Sequence, residues 1–491
     1  MGFVSPLVSP ARNVVARNLV TKQSPRDRHV TSFLATPAQS STDLLTHTLR
    51  LRPAVYFAFG LRILYAFVSH GRPVDSEKRA KVLKLNLIHT VAFSGLVLFV
   101  GYGLRRVIRP LERVNIPAPV VGGLLIAGLT LIARRFNLTF FEFDTTLRDP
   151  LMIAFFTTIG FGASVSFLKK GGRQVLIFFG VATVFAVLQN VLGILIALPF
   201  GLHPLFGLLA GSVTLTGGPA TGLAFAPLFE KAGVPGAATV AVAAAMFGIV
   251  SGGLLGGPIG TFLIERYRLK KAQPRERALD AATAENIVEE KMGERPVKAP
   301  ADEDREAYLL LQNLVVIMIA MWAGSWLSNL FTRIGFTLPA YIGAMLVAAI
   351  LRNFDDLTGW LGLSQRTIDD IGHVALQLFL VIALMTLKLW ELAGLVLPLV
   401  VILLGQIVLI AGACLWPVFK LMGRDYQSAV MSSGFCGFML GTTANAMASM
   451  KTIVERYGKS KHAFLVVSMV GAFFIDFTNA VIITIFLNVL K

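Results

Sequence analysis

Asp476 is the residue whose position most needs a chemical explanation. It sits inside the apolar run Val470-Gly471-Ala472-Phe473-Phe474-Ile475-Asp476-Phe477-Thr478-Asn479. A carboxylate at bilayer depth costs at least roughly 3 kcal/mol to insert, so one that persists faces a cavity, an ion or a partner. Asn479 shares its helical face one turn on. Oxygen donors of this kind suit a hard cation such as Na⁺; the alternative is a buried Asp paired with Lys or Arg. Gln189 and Asn190, in another apolar run, are further Na⁺ candidates, with interhelical hydrogen bonding as the competing role.

Two other stretches interrupt apolar regions in a way that suits ligand binding. Ser212-Val213-Thr214-Leu215-Thr216-Gly217-Gly218-Pro219-Ala220-Thr221-Gly222 carries hydroxyls, close-set glycines and a proline. Ser432-Ser433-Gly434-Phe435-Cys436-Gly437-Phe438-Met439-Leu440-Gly441-Thr442-Thr443-Ala444-Asn445 repeats the theme. In hydrocarbon, non-helical backbone survives where protein buries it or a wet cavity meets it. Glycine reaches backbone angles that other residues avoid, so such a segment turns sharply and offers bare peptide groups. Paired interruptions in matching positions of two halves point to a transporter's binding site. The substrate-binding candidates are therefore Ser212, Thr214, Thr216, Gly217, Gly218, Thr221 and Gly222 in the first stretch. In the second they are Gly434, Cys436, Gly437, Gly441, Thr442, Thr443 and Asn445. The competing explanation is a helix bend packed through small residues. Gly252-Gly253-Leu254-Leu255-Gly256-Gly257, with glycines four apart at 252/256 and 253/257, is read as packing of that kind.

Membrane helices must hold these residues. Of 491 residues, 55% are hydrophobic and 15% charged, with a mean hydropathy of +0.69, where a soluble domain carries about a quarter charged residues. Runs long enough to cross a bilayer recur. Spans are expected at about 86–104, 118–133, 149–167, 174–199 and 238–264, with a hairpin over 205–225. They return at about 308–331, 338–351, 370–389, 392–416 and 462–488, with a hairpin over 427–450. Five is odd, so two such sets must lie in opposite orientations. The expected fold is an all-α polytopic membrane protein of about ten transmembrane helices. They form two inverted five-helix repeats, 85–265 and 308–491, each with a re-entrant hairpin.

The net charge of +17 does not point to nucleic acid, because the basic residues crowd the N-terminal region and the short loops. Arg105, Arg106, Arg109 and Arg113 follow the first span, Lys169, Lys170 and Arg173 the third, and Arg266, Arg268, Lys270 and Lys271 the fifth. All three clusters face the cytoplasm if topology follows Lys and Arg. Cys414 and Cys436 lie in apolar surroundings, which argues against a disulfide framework. Residues 1–84 form a basic, acid-poor extension that reads as a transit peptide or a disordered leader, with an interfacial helix over 54–68. Residues 266–307, charged and broken by Pro274, Pro296 and Pro300, read as a cytoplasmic linker. Asp149-Pro150 reads as a helix start with Asp149 as the cap, and Lys388, Trp390 and Glu391 as a membrane-interface cluster. Asp355-Asp356 and Asp369-Asp370 lack the paired acidic motif that membrane enzymes of diphosphate chemistry need, so no enzyme is expected.

From about Leu85 to the C-terminus the chain resembles the bacterial sodium/glutamate symporter family. The resemblance rests jointly on Ile116-Pro117-Ala118-Pro119-Val120-Val121-Gly122-Gly123-Leu124, Leu147-Arg148-Asp149-Pro150-Leu151-Met152, Gly207-Leu208-Leu209-Ala210-Gly211-Ser212, Leu387-Lys388-Leu389-Trp390-Glu391-Leu392 and Met469-Val470-Gly471-Ala472-Phe473-Phe474-Ile475-Asp476. It implies Na⁺-coupled uptake of L-glutamate through two re-entrant loops. The architecture is also similar to the 2-hydroxycarboxylate transporters, which implies a homodimer whose transport domains move, elevator-fashion, against a scaffold. The family's first hairpin reads Gly-Gly-His-Gly-Thr-Gly, where this chain has Gly217-Gly218-Pro219-Ala220-Thr221-Gly222. Its second reads Gly-His-Cys-Gly-Phe-Gly, against Gly434-Phe435-Cys436-Gly437-Phe438-Met439. Such changes leave the transport mode in place and bear on the substrate. The function expected is secondary active symport of Na⁺ with glutamate or a similar dicarboxylate. The alternative is Na⁺- or H⁺-coupled transport of another organic anion of the citrate or malate class. The implied partners are Na⁺, a small anionic substrate, lipid and a second copy, with no organic cofactor. The implied location is the plasma membrane, or an organelle membrane if 1–84 is a transit peptide.

Overall fold

A backbone without water must pair its polar groups within itself, and the helix does this locally. The computed structural model describes residues 83–136, 141–170, 172–269 and 303–490, and they are overwhelmingly helical. Nearly all of the extension expected over 1–84, its interfacial helix included, lies outside the described residues, as does the 270–302 part of the expected linker.

In the first half the chain forms α1 (Leu87–Val107), α2 (Arg109–Arg113), α3 (Ala118–Arg135), α4 (Arg148–Gly162), α5 (Val165–Lys170), α6 (Gly172–Ala197), α7 (Pro204–Leu208), α8 (Gly218–Lys231) and α9 (Ala237–Arg266). The second half gives α10 (Glu303–Arg333), α11 (Ala340–Thr358), α12 (Gln365–Met385), α13 (Val396–Ala413), α14 (Phe419–Leu421), α15 (Tyr426–Leu440), α16 (Thr443–Tyr457), α17 (Lys461–Met469) and α18 (Ile475–Leu490). Asn86 starts α1 by accepting the His89 amide (2.9 Å), and Ser364 accepts the Thr367 amide at the start of α12. The expected Asp149 cap is corrected. Leu147 holds the cap position, and Asp149 lies in the first turn of α4, where a carboxylate complements the helix dipole.

Seven helices among the described residues are long and apolar enough to cross a membrane: α1, α3, α6, α9, α10, α12, and α13 with its continuation to Leu421. Three of the ten expected spans take other forms. The one expected over 149–167 ends at Gly162, because Ala163 leaves helical geometry and Asn353 of α11 holds the break. Asn353 Nδ2 donates to the Ala163 carbonyl (2.9 Å), and its Oδ1 accepts the Val165 amide (2.9 Å). The expected 338–351 span is the front of α11, whose far end carries Arg352, Asp355 and Asp356. The span expected over 462–488 is helical throughout but passes through a π turn at Val470–Phe474 between α17 and α18. One feature was not expected at all: Leu83–Leu85 and Phe141–Phe143 pair as a short parallel ladder, with Lys84 and Glu142 bridged at 3.3 Å.

The helices pack in two groups, each drawing on both halves of the chain. In one group α4 lies against α11 and α12, α10 against α11, and α3 against α1 and α12. In the other, α9 lies against α8, α15 and α16, and α6 against α7, α13 and α18. Small residues allow the tightest crossings. A Cβ on Gly193 of α6 would stand 2.2 Å from the Gly207 carbonyl, and one on Gly248 of α9 equally close to that of Leu440. The 252/256 pair packs along α15 as expected, whereas Gly257 has no atom within 4 Å of where its Cβ would be.

Candidate functional site

The first hairpin descends through α7 and a π turn, Leu209–Val213, and returns as α8. Gly211 leaves helical geometry (φ −99°, ψ −134°) and interrupts the ladder of backbone hydrogen bonds. α6 and α18 satisfy the groups this releases. The Ser212 amide donates to Asn190 Oδ1 (2.9 Å), and its carbonyl accepts from Asn479 Nδ2 (2.9 Å). At the tip, Gly218 adopts φ +69°, a left-handed conformation natural to glycine. Pro219 follows in the first turn, where its missing N–H costs nothing. Among the described residues no side chain caps α8.

The second hairpin is built differently. α15 starts from a capping box between Asp425 and Ser428 and runs to Gly441, whose backbone (φ −148°, ψ −107°) breaks it. The Thr442 hydroxyl then caps α16 by accepting the Asn445 amide (3.4 Å). Gly437 lets the two arms touch, since a Cβ there would lie 2.5 Å from Ala446 Cα.

The two tips meet at one cavity of ≈ 310 Å³. Thr216 to Ala220 border it from the first hairpin, and Gly441, Thr442 and Thr443 from the second. Phe438, Gly471 and Asp476 complete this wall. The facing wall comes from the other helix group: Tyr102 and Arg105 of α1, Pro117 to Pro119 at the start of α3, Phe155 of α4, and Leu376, Gln377 and Leu380 of α12. Tyr102 Oη donates to Gln377 Oε1 (2.7 Å).

The expected site residues divide into those on the wall and those behind it. Thr216, Gly217, Gly218, Gly441, Thr442, Thr443 and Asp476 line the cavity. Ser212, Thr214, Thr221, Gly222, Gly434, Cys436, Gly437 and Asn445 do not; they hold the hairpins in shape. Thr214 Oγ1 donates to the Leu209 carbonyl (2.8 Å) across the π turn. Asn445 Nδ2 donates to the Ile249 carbonyl of α9 (2.6 Å). Gly222 faces Ala241 and Thr214, and Gly434 faces Met450 and Val467. Cys436 is buried, as is Cys414, and both are free thiols.

Gln189, Asn190 and Asn479 form a buried polar network behind the first tip. Gln189 Oε1 accepts from Thr216 Oγ1 (2.7 Å), its Nε2 donates to the Met439 carbonyl (2.9 Å), and its own carbonyl accepts from Gln406 Nε2 (2.7 Å). This amide thus ties the first tip to the second hairpin. Ser212 Oγ, Asn479 Oδ1 and Gln406 Oε1 are buried there with no hydrogen-bond partner among the described residues. Unpaired oxygens of this type are rare in interiors, and they are the donor class that a hard cation takes.

Sequence reasoning missed the facing wall. In the sequence Arg105 reads as a topology marker and Pro117-Ala118-Pro119 as a motif without a role, and Tyr102 and Gln377 carry no signal. Of the departures from the family's hairpins, Pro219 and Ala220 border the cavity, whereas Phe435 is buried against Phe178, Phe185 and Phe438. The Lys388–Glu391 cluster is also more than an interface marker. The Arg134 guanidinium lies 3.9 Å over the Trp390 ring, and Thr239 of α9 donates to the Lys388 carbonyl (3.2 Å), linking the two helix groups beside a second cavity of ≈ 440 Å³.

The profile of a family described as sodium/glutamate symporter matches residues 83–459. The sodium/glutamate symporter of Escherichia coli strain K12 is 39% identical over 404 residues, which cover 82% of this chain and 98% of that protein. That of Haemophilus influenzae is 37% identical over 409 residues, covering 81% and 96%. Among solved structures, a sodium proton antiporter of Methanocaldococcus jannaschii overlaps 82% of this chain at 16% identity, with a TM-score of 0.37.

Proposed function

The chain belongs to the sodium/glutamate symporter family, and from that premise we propose that it takes up L-glutamate by symport with Na⁺. The observation that carries this reading is the ≈ 310 Å³ cavity where two interrupted hairpins meet. The arms that leave the tips, α8 and α16, are 14 and 15 residues long. Each points its N-terminus at the cavity, and helix N-termini offer unpaired amides and a partial positive charge to carboxylates. Arg105 adds a full positive charge from the opposite wall.

Na⁺ belongs behind the first tip. Of the four residues expected to hold it, Asn479, Gln189 and Asn190 lie in the polar network there, and Asn479 Oδ1, Ser212 Oγ and Gln406 Oε1 are unpartnered oxygens within it. A cation bound at that place would fix the Gly211 kink and so shape the tip, which couples ion to substrate. Each net positive charge carried inward gains about 2.3 kcal/mol per 100 mV, enough to drive uptake against a gradient.

The architecture proposed for this cycle is ten crossings in two inverted repeats, 85–265 and 308–491, joined by a cytoplasmic linker over 266–307. Both halves place a hairpin before the last long helix region, and each packing group mixes equivalent helices from the two halves. The group of α1, α3, α4, α10, α11 and α12 would be the scaffold, and the group with both hairpins would slide as an elevator. A homodimer in the plasma membrane completes the proposal. Labelled L-glutamate uptake into proteoliposomes tests the core of it. An inward Na⁺ gradient is expected to raise initial uptake at least several-fold over symmetric Na⁺, and equal rates reject the coupling.

A further inference from the structure

We infer that Asp476 receives the ammonium group of the substrate and so makes this protein an amino-acid carrier, not a carrier of dicarboxylates at large. The inference rests on the reading above that the cavity binds glutamate.

Arg105 and Asp476 are the two charged side chains on the cavity wall among the described residues. Glutamate brings three charges. Its two carboxylates find Arg105 and the starts of α8 and α16, which leaves an ammonium that must lose water to enter. An unpaired charge out of water is strongly unfavourable, and a carboxylate is the partner that offsets it most fully. The other side-chain acceptors on the wall are neutral and already tied into hydrogen bonds, so none of them offers an opposite charge. Gln377 Oε1 takes the Tyr102 hydroxyl, Thr442 Oγ1 takes the Asn445 amide, and the hydroxyls of Thr216 and Thr443 donate to Gln189 and to the Gly471 carbonyl. The Asp476 carboxylate, by contrast, has no hydrogen bond or ion pair among the described residues.

The backbone places it for this task. The π turn at Val470–Phe474 lies inside the last helix run, which continues through it into α18, and Asp476 follows directly after that turn on the wall of the cavity. Asn479, one turn on, points elsewhere: its amide reaches the Ser212 carbonyl behind the first hairpin. The helical face that looked like a single cation site therefore serves two sides. Asn479 faces the proposed Na⁺ network and Asp476 faces the substrate cavity.

A site built around a charged hydrogen bond rejects a ligand that lacks the partner by large factors, up to about 10⁴. The probe is glutarate, which keeps both carboxylates of glutamate and has no amine. Proteoliposomes with the unsubstituted chain, Asp476→Asn and Asp476→Glu are compared for inhibition of labelled glutamate uptake by unlabelled glutamate and by glutarate, and for Na⁺ activation. The unsubstituted protein is expected to prefer glutamate over glutarate by about 100-fold or more. Asp476→Asn should bring the two within about 10-fold while the Na⁺ activation curve, taken at saturating glutamate, stays in place, and Asp476→Glu should recover part of the preference. Equal potency of glutarate and glutamate on the unsubstituted protein overturns the inference, whether or not the variants fold. So does a shifted Na⁺ curve with an unchanged glutamate-to-glutarate ratio in Asp476→Asn, which would assign the carboxylate to the cation. Failure of the functional reading looks different: no Na⁺-driven glutamate uptake by the unsubstituted chain, which removes both.

Discussion

The hairpin over 204–231 turns at a left-handed Gly218 with no capping side chain among the described residues, and amides from α6 and α18 satisfy the peptide groups at its kink. The hairpin over 426–457 starts from its own capping box, turns at Gly441 and is capped by its own Thr442. Both tips reach the same cavity. The first takes its shape from neighbouring helices, the second mainly from its own sequence. A coupling ion can act on the first kind, because a segment held by side chains from elsewhere changes when those side chains gain a ligand. The second kind offers a fixed wall.

That contrast can be broken at three places. The largest effect is expected where the second hairpin's arms touch. Gly437→Leu drives a side chain into the Ala446 backbone, 2.5 Å from where its Cβ would be, and overpacking against backbone costs about 3 kcal/mol or more. Gly222→Ala in the first hairpin meets only the Ala241 and Thr214 methyl groups, at 2.9 and 3.0 Å. Its thermal midpoint in detergent should fall far less; similar losses would show that both hairpins are equally self-packed.

The next effect compares the supporting amides. Asn190→Leu leaves the Ser212 N–H buried without a partner, a cost of about 1–3 kcal/mol. Asn445→Leu strips a donor from the Ile249 carbonyl, which still accepts its helical bond, so its cost should be smaller. Hydrogen exchange over 209–217 should quicken in Asn190→Leu, and unchanged protection there would mean the kink holds without α6. The smallest effect is Thr442→Ala, which removes a cap worth about 1 kcal/mol and should lower the midpoint slightly with Na⁺ activation unaltered. A change in the Na⁺ curve would make the second tip part of the ion site.

Much of this was legible along the chain. The two interruptions cluster glycine with hydroxyl residues and, in the first, a proline, so the regions that turn were visible without coordinates, although the kink at Gly211 lies just outside the first of them. Asp476 was visible for the same reason, as a carboxylate where hydrocarbon was expected. Arg105 was visible too and was read for topology alone, because a cation after a span looks the same whether it faces lipid headgroups or a cavity. Asn479 and Asp476 share a helix face, and helical spacing alone cannot say that a neighbouring hairpin claims one of them.

By itself, then, the sequence determined the solvent and the neighbourhood of the turns: hydrophobic run length dictates helices that cross lipid, and glycine beside hydroxyls at Gly217, Gly218 and Gly441 permits a turn there, whereas the kink at Gly211 and the unbroken helix through Gly252–Gly257 came from the packing. The tertiary structure alone decided which groups share a cavity. Cavity walls are assembled from residues hundreds of positions apart, such as Tyr102 and Gln377. Their meeting depends on how whole helices pack, which no local pattern encodes.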